Sequence, residues 1–202
     1  MTSLSQRLSG AVLVLGGLLA AVGYVLMPTT SKDSVIVPAC WLLLFGTLLI
    51  LVSLPSFHVG QADRAGGLGW WGTTVLSVGI GMANLPLALL GVADRHALDD
   101  DTAYHSSSGG TIQFSGLGLV GVGLILLTIA TFRARVYPSW VAWTVAASLV
   151  VSVLCQVVPP LGTALHFPAE AYLIVAALGV AVMRGGTVVP AEHDERVRVA
   201  AA

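Results

Sequence analysis

One carboxylate lies inside an apolar stretch of this chain, and it is the first candidate for chemistry. Glu170 is the one ionisable carboxylate in any of the long apolar segments, and a charge inside a bilayer is costly enough that it usually marks a functional site. His166 precedes it by four residues, so on a continuous helix the two share a face. Pro168 supports a rival role, because a proline at the first helical position makes Glu170 a capping residue for free N–H groups. The two roles are compatible, and both stay open.

A polar segment between two apolar stretches holds a second group of potential ligands. Histidine and aspartate side chains lie there within ten residues of one another: His96, Asp99, Asp101 and His105. Their nitrogen and oxygen atoms are of the kinds that bind divalent cations. The spacing matches no zinc motif, however, and an acidic loop is usually only solvated. We therefore predict no metal site and keep these four residues as the alternative.

Haem and thiol chemistry are not indicated by the sequence. No segment carries a pair of facing histidines for haem, and the chain has no C-x-x-C motif. Cys40 and Cys155 fall at similar predicted depth, but depth alone does not bring their Cα atoms within the roughly 4.4–6.8 Å that a disulfide needs. We expect two free thiols and no cofactor, and the question of pairing stays open.

Six apolar segments must position these side chains. The chain has 202 residues, of which 56% are hydrophobic and 9% charged, against about 25% charged in a soluble domain. A helix needs roughly 20 apolar residues to cross a bilayer. The qualifying segments are Leu8–Met27, Val35–Leu54, Gly69–Ala93, Thr111–Thr131, Ser139–Val158 and Ala164–Met183. We predict an all-α, six-helix transmembrane bundle as one domain over residues 1–184, followed by a disordered cytoplasmic tail over residues 185–202.

The basic residues predict how the bundle is oriented. Only Lys32 and Arg95 fall on one side of the predicted bundle. The other basic residues fall on the opposite side: Arg7, Arg64, Arg133, Arg135, Arg184, Arg196 and Arg198. By the positive-inside rule both termini are predicted to lie in the cytoplasm, with the protein in the inner membrane. A net charge of −1 offers no surface for a polyanion, so we expect no nucleic-acid partner.

Small residues and aromatic residues support this arrangement. The fourth segment contains Ser115, Gly116, Gly118, Gly121 and Gly123, and small residues let helix backbones approach closely in lipid. We expect them to pack inside the monomer rather than against a second copy. The same spacing occurs at Gly17 and Ala21, and at Ser77 and Gly81. Aromatic residues at the predicted inner boundaries form an expected interfacial belt: Trp70, Trp71, Tyr137 and Trp140.

The predicted orientation gives each polar side chain a depth, and the amides and charged groups fall in the outer half. They are Asn84, Gln113, Ser115, Gln156, His166 and Glu170. The inner half has mainly Thr and Ser hydroxyls, which can bond to their own helix. We predict an outward-facing polar pocket lined by these six residues. It would bind a lipid, a small amphipathic ligand, a membrane-protein partner or a second copy, without enzymatic activity. A small-solute channel or permease is the alternative.

Asn84 has a role of its own in this pattern, since it precedes Pro86 by two residues. A proline within a helix frees a carbonyl one turn back and kinks the helix, so the amide could line a pocket beside the kink. Asn84 could equally form a hydrogen bond to a neighbouring helix. The sequence favours the second role.

Two resemblances to known families add to this interpretation. The stretch Gln113-Phe114-Ser115-Gly116 resembles the Gly-x-Ser-Gly motif of rhomboid intramembrane proteases, which also have a six-helix core, although Gln113 stands at the first glycine. That resemblance implies an intramembrane serine hydrolase with Ser115 as nucleophile and His166 as its base. The whole chain also resembles small uncharacterised bacterial six-helix membrane proteins through its turns GQADRAGGLGWWG and RARVYPSWVAW. That second resemblance implies a fold and no activity.

Overall fold

The computed structural model describes residues 4–29, 33–93, 108–157 and 169–184, and almost all of them are helical. The helices are α1 (Leu4–Thr29), α2 (Asp33–Ser53), α3 (Pro55–Val59), α4 (Ala62–Ala93), α5 (Ser108–Ala134), α6 (Ser139–Val157) and α7 (Ala169–Arg184). No strand occurs within these ranges. The prediction of an all-α protein is confirmed, and six of the helices correspond to the six apolar segments.

Four stretches are long and apolar enough to cross a membrane. They are Leu4–Met27, Ile36–Val59, Ala62–Ala93 and Ser108–Ala134, with lengths between 24 and 32 residues. The apolar helices Ser139–Leu154 and Ala171–Arg184 are shorter. The described part of the chain is therefore consistent with a helical membrane bundle. The direction in which the helices cross stays a prediction, as does the sixth segment's start at Ala164, which lies outside the described ranges.

The link between the second and third long helices differs from the prediction. A short helix, α3, begins with Pro55 at its first turn, where the missing N–H of proline costs nothing. Helix α4 then begins at Ala62, well before the predicted start at Gly69. Two helical stretches meet within α4 at Gly66, whose φ of 56° and ψ of −150° are not helical and suit glycine. Hydropathy alone does not reveal this break.

Glycines bring the long helices into backbone contact. A Cβ atom on Gly10 would lie 2.7 Å from the carbonyl oxygen of Gly179, and one on Gly46 would lie 2.5 Å from the amide nitrogen of Ala20. These contacts join α1 to α7 and α1 to α2. Between α4 and α5, a Cβ atom on Gly79 would lie 2.5 Å from the amide nitrogen of Val120. Real Cβ atoms do not approach backbone so closely, so each position requires glycine.

The glycines of the fourth segment do not all pack in this way. Cβ atoms on Gly116 and Gly123 would lie 2.5 Å and 2.6 Å from backbone nitrogens of α4. Packing inside the monomer is thus confirmed for these two residues. Cβ atoms on Gly118 and Gly121 would meet nothing within 4 Å. This part of α5 therefore faces open space.

Five arginines lie together at one end of the bundle, which we call the basic end. They are Arg7, Arg64, Arg133, Arg135 and Arg184, and each is exposed. The Cβ position of Gly10 is 2.8 Å from the amide nitrogen of Met183, so the start of α1 adjoins the end of α7. The Cβ position of Gly72 is likewise 2.8 Å from the amide nitrogen of Leu127, so the start of α4 adjoins the end of α5. The predicted arginines of the tail lie outside the described residues.

Three of the four residues of the predicted aromatic belt are exposed, and their position at a membrane interface stays a prediction. Trp70, Trp71 and Trp140 are between 39% and 58% exposed, as residues at a membrane interface should be. Tyr137 was predicted to join them, and this is wrong, since it is only 7% exposed. Its ring stacks on Phe57 of α3 at a centroid distance of 4.6 Å, and its hydroxyl donates to the Phe57 carbonyl at 3.2 Å. Burial raises the pKa of Tyr137 to about 12.

Candidate functional site

A hydrogen-bond network centred on Asn84 lies in the interior of the bundle. The Asn84 side chain is fully buried. Its Oδ1 atom accepts hydrogen bonds from the Tyr24 hydroxyl at 3.1 Å and from the Tyr172 hydroxyl at 2.6 Å. Its amide nitrogen donates to Oγ1 of Thr47 at 2.9 Å. The favoured role of Asn84, bonding to neighbouring helices, is confirmed.

This network joins four helices at one residue. Tyr24 belongs to α1, Thr47 to α2, Asn84 to α4 and Tyr172 to α7. The rings of Tyr24 and Tyr172 also stack, with centroids 5.4 Å apart and planes inclined by 14°. Two donors saturate the lone pairs of the amide oxygen, and a buried amide without partners would cost about 1–3 kcal/mol. The network therefore fixes how α1, α2 and α7 sit against α4.

The tyrosines were missed at the sequence level. Both lie within apolar segments, and the sequence does not show that their hydroxyls reach Asn84 of another helix. Three of the hydroxyls assigned to the inner half behave as expected, since Ser77, Thr128 and Thr144 donate to the carbonyl four residues earlier. Thr47 differs, because its oxygen accepts the amide of Asn84.

A cavity of about 90 Å³ lies between α4, α5, α6 and α7. Its walls are Leu76, Ile80, Ala83, Leu117, Val120, Gly121, Leu124, Ser148, Leu149, Ser152, Val153, Ala171, Tyr172, Ile174, Val175 and Leu178. Among these side chains only Ser148, Ser152 and Tyr172 carry polar atoms. The Tyr172 hydroxyl is bonded to Asn84, so this residue closes the network on one side and forms a wall of the cavity on the other.

The cavity reaches the surface along the seam between α5 and α6. Val153 of α6 lines it and is 52% exposed. Gly121 of α5 also lines it, and a Cβ atom there would meet no other atom within 4 Å. At the other side Leu76 and Leu178 are each 1% exposed. The cavity thus runs from the surface of the bundle to residues of the core.

The six residues predicted to line a polar pocket are not brought together in the described part of the chain. Asn84 lies in the network, and Ser115 is exposed and donates to the Thr111 carbonyl at 2.9 Å. Oε1 of Gln113 is buried without a partner in that part. None of Asn84, Gln113 and Ser115 lines the cavity. The side chains of Gln156 and Glu170, and the whole of His166, fall outside what the structure describes, so the polar pocket stays a prediction.

The two chemical alternatives, a serine hydrolase and a cation site, also depend on residues outside the described ranges. The hydrolase needs His166 beside Ser115, and the cation site needs His96, Asp99, Asp101 and His105, none of which lies in the described ranges. Within those ranges no group of three or more His, Cys, Asp or Glu side chains could hold a metal. Cys40 is buried and forms no disulfide there, and the side chain of Cys155 is not described. These predictions stay untested.

Comparison with known proteins gives no relative from which a function could be transferred. The chain matches no family model, no curated protein and no solved structure.

Proposed function

We propose that this protein is a non-enzymatic membrane protein that binds an apolar chain, such as the acyl chain of a lipid, in the cavity between α4, α5, α6 and α7. The observation that carries this proposal is the lining of that cavity, which is apolar except for two serines and one tyrosine. The open seam at Gly121 and Val153 would let an acyl chain enter the cavity from the bilayer. The apolar walls of the cavity also indicate the class of ligand, since a polar solute bound there would leave its hydrogen-bonding groups unsatisfied.

Packing, rather than the hydrophobic effect, would provide the affinity. A lipid tail in the bilayer is already in an apolar medium, so its transfer into the cavity gains van der Waals contacts and fills space. An unfilled apolar cavity destabilises a bundle by roughly 24 cal/mol per Å³. Occupation of a cavity of about 90 Å³ is therefore worth on the order of 2 kcal/mol. Such a ligand binds reversibly and also stabilises the fold.

The chemistry around the cavity supports binding rather than catalysis. Its polar side chains are the hydroxyls of Ser148, Ser152 and Tyr172. A hydroxyl is a weak nucleophile at its own pKa and needs an adjacent base. The Tyr172 hydroxyl donates to Asn84, a neutral amide. The grouping of five exposed arginines at the basic end supports an inner-membrane location with that end in the cytoplasm.

Photo-crosslinking tests this function. The protein is reconstituted in nanodiscs of phosphatidylcholine with a diazirine at the end of one acyl chain, irradiated, and mapped by mass spectrometry. We expect labels on Leu76 and Leu178, which are 1% exposed and reachable only from the cavity. Ile125, which is 44% exposed, reports the ordinary contact with surrounding lipid. Labels confined to residues such as Ile125 would show that no acyl chain enters the cavity.

A further inference from the structure

One side chain in the wall of the cavity carries a hydroxyl that the helices do not satisfy. Ser148 of α6 lines the cavity and is only 1% exposed. Its hydroxyl forms no hydrogen bond in the described part of the chain. A buried hydroxyl without a partner is unfavourable, and native proteins pair nearly all such groups. The cavity is therefore the space in which a partner for Ser148 has to be sought.

Other hydroxyls in these helices are satisfied by their own backbone. Ser77 of α4, Thr128 of α5 and Thr144 of α6 each donate to the carbonyl four residues earlier, at 2.7–2.9 Å. Such a bond satisfies a hydroxyl within an apolar helix, and none of these three residues lines the cavity. Ser148, one turn after Thr144, lines the cavity and makes no such bond. Its hydroxyl is thus left for a ligand.

Ser148 lies far from both ends of its helix. It is the ninth residue after Ser139 and the ninth before Val157, where α6 begins and ends, so about 14 Å separates it from either end at 1.5 Å per residue. In a helix that crosses the bilayer, this is the level of the middle of the hydrocarbon core. The ester carbonyls of a phospholipid stay near the head groups. An oxygen that meets Ser148 must therefore lie well along an apolar chain.

We infer that the preferred ligand of the cavity is an apolar chain with an uncharged oxygen along its length, a hydroxyl or a carbonyl, to which Ser148 forms a hydrogen bond. This inference rests on the proposed function. A serine hydroxyl donates to a carbonyl, and it either donates to or accepts from a hydroxyl. Such an oxygen has no water to bond within the bilayer, so the contact satisfies two groups at once. A carboxylate does not suit the cavity, because none of its lining residues carries a compensating charge.

Competition in the photo-crosslinking experiment tests this preference. The nanodiscs hold a small fixed fraction of the terminal-diazirine phosphatidylcholine, and a second phosphatidylcholine replaces part of the remaining lipid. Its variable chain is stearoyl, or stearoyl with a hydroxyl or a keto group on the twelfth carbon. We expect either oxygenated chain to halve the labelling of Leu178 when it makes up about one-tenth of the lipid, as a roughly tenfold tighter ligand would. The same amount of stearoyl should leave the labelling of Leu178 unchanged.

Two variants assign the preference to a residue. Ser148→Ala removes the hydroxyl without a partner, so the oxygenated chains should compete no better than stearoyl in this variant. Ser77→Ala is the matched control, since Ser77 donates to the Thr73 carbonyl at 2.9 Å and does not line the cavity. It should keep the wild-type preference. The competitors are compared within each variant, so a general loss of labelling does not imitate a lost preference.

The inference and the proposed function fail in different ways. If Leu178 is labelled but the oxygenated chains reduce its labelling no more than stearoyl does, the cavity binds acyl chains and the preference for an oxygen is wrong. If Ser148→Ala keeps the wild-type preference, the oxygen is bound elsewhere and the role of Ser148 is wrong. An absence of label on Leu178 in the wild type would overturn both the inference and the proposed function.

Discussion

Tyr172 donates its hydroxyl to Oδ1 of Asn84 at 2.6 Å, and the same tyrosine forms part of the cavity wall. The hydrogen bond fixes the ring of Tyr172 from the side of α4, while the stacked Tyr24 supports it from the side of α1. The wall of the proposed binding site is therefore held in part by a polar network, of which Tyr172 is the member that lines the cavity. Stability and binding should be linked through this residue.

Asn84→Ala should destabilise the protein by about 2–4 kcal/mol, because it leaves the buried polar atoms of Tyr24, Tyr172 and Thr47 without this partner and removes buried volume. Tyr24→Phe should cost less, about 1 kcal/mol, since Oδ1 of Asn84 keeps the Tyr172 donor. Unfolding of both variants in mixed micelles of increasing denaturing-detergent fraction checks the order. Equal losses for the two variants would contradict a network centred on Asn84.

The alkaline stability of the protein should depend on Tyr137. Its ordinary pKa is 10.0 and burial raises it to about 12. Below pH 10 both the folded and the unfolded chain keep the proton. Between pH 10 and 12 the unfolded chain loses it first, so the free energy of unfolding falls with rising pH, by about 2–3 kcal/mol in total. Unfolding midpoints measured from pH 9 to 12 should fall more steeply for the wild type than for Tyr137→Phe. If the midpoints of the two proteins fell equally with pH, the proposed role of Tyr137 in alkaline stability would be wrong.

Glycine substitutions should separate the helix contacts from the open seam. Gly79→Ala places a methyl group 2.5 Å from the amide nitrogen of Val120, so α4 and α5 must move apart and the midpoint should fall sharply. Gly118→Ala meets nothing within 4 Å and gains up to about 1 kcal/mol in helix propensity. Its midpoint should be unchanged or higher. A loss of stability in Gly118→Ala would mean that this face of α5 is covered.

The predicted orientation is open to cysteine labelling. Ser108 and Ser139 are both exposed and lie at opposite ends of the bundle, with Ser139 near the basic end. A membrane-impermeant maleimide applied to intact cells should label Ser108→Cys, whereas Ser139→Cys should react only after permeabilisation. The unsubstituted chain, with its buried Cys40, is the background control. The reverse pattern would invert the proposed topology.

The helices could be predicted because each needs a long apolar run, and α1, α2, α5 and α6 lie close to the predicted segments. The interruption at Gly66 could not be predicted from the sequence, since it depends on a backbone angle rather than on hydropathy. Tyr137 has the residue type and position of an interfacial anchor, yet its side chain packs against Phe57 of α3. Such a contact depends on which elements become neighbours, and a sequence does not show that directly.

The candidate site shows the same limit of prediction from sequence. The interhelical role of Asn84 was favoured because a buried amide in lipid must find partners. Its partners Tyr24 and Tyr172 are 60 and 88 residues away along the chain, so they could not be identified without the packing of α1 and α7. The cavity has no sequence signal at all, because a void is defined by what neighbouring helices fail to fill.

Acyl-chain labelling of the cavity interior in a matched pair of variants tests the proposed function most directly. Gly121→Leu places a side chain at the open seam, whereas Gly118→Leu places the same side chain in open space on α5 outside the cavity wall. With the terminal-diazirine phosphatidylcholine in nanodiscs, labelling of Leu178 should persist in Gly118→Leu and fall at least tenfold in Gly121→Leu. Labelling of Ile125 should be the same in both. Equal labelling of Leu178 in the two variants, or none in the wild type, would contradict binding of a chain in this cavity.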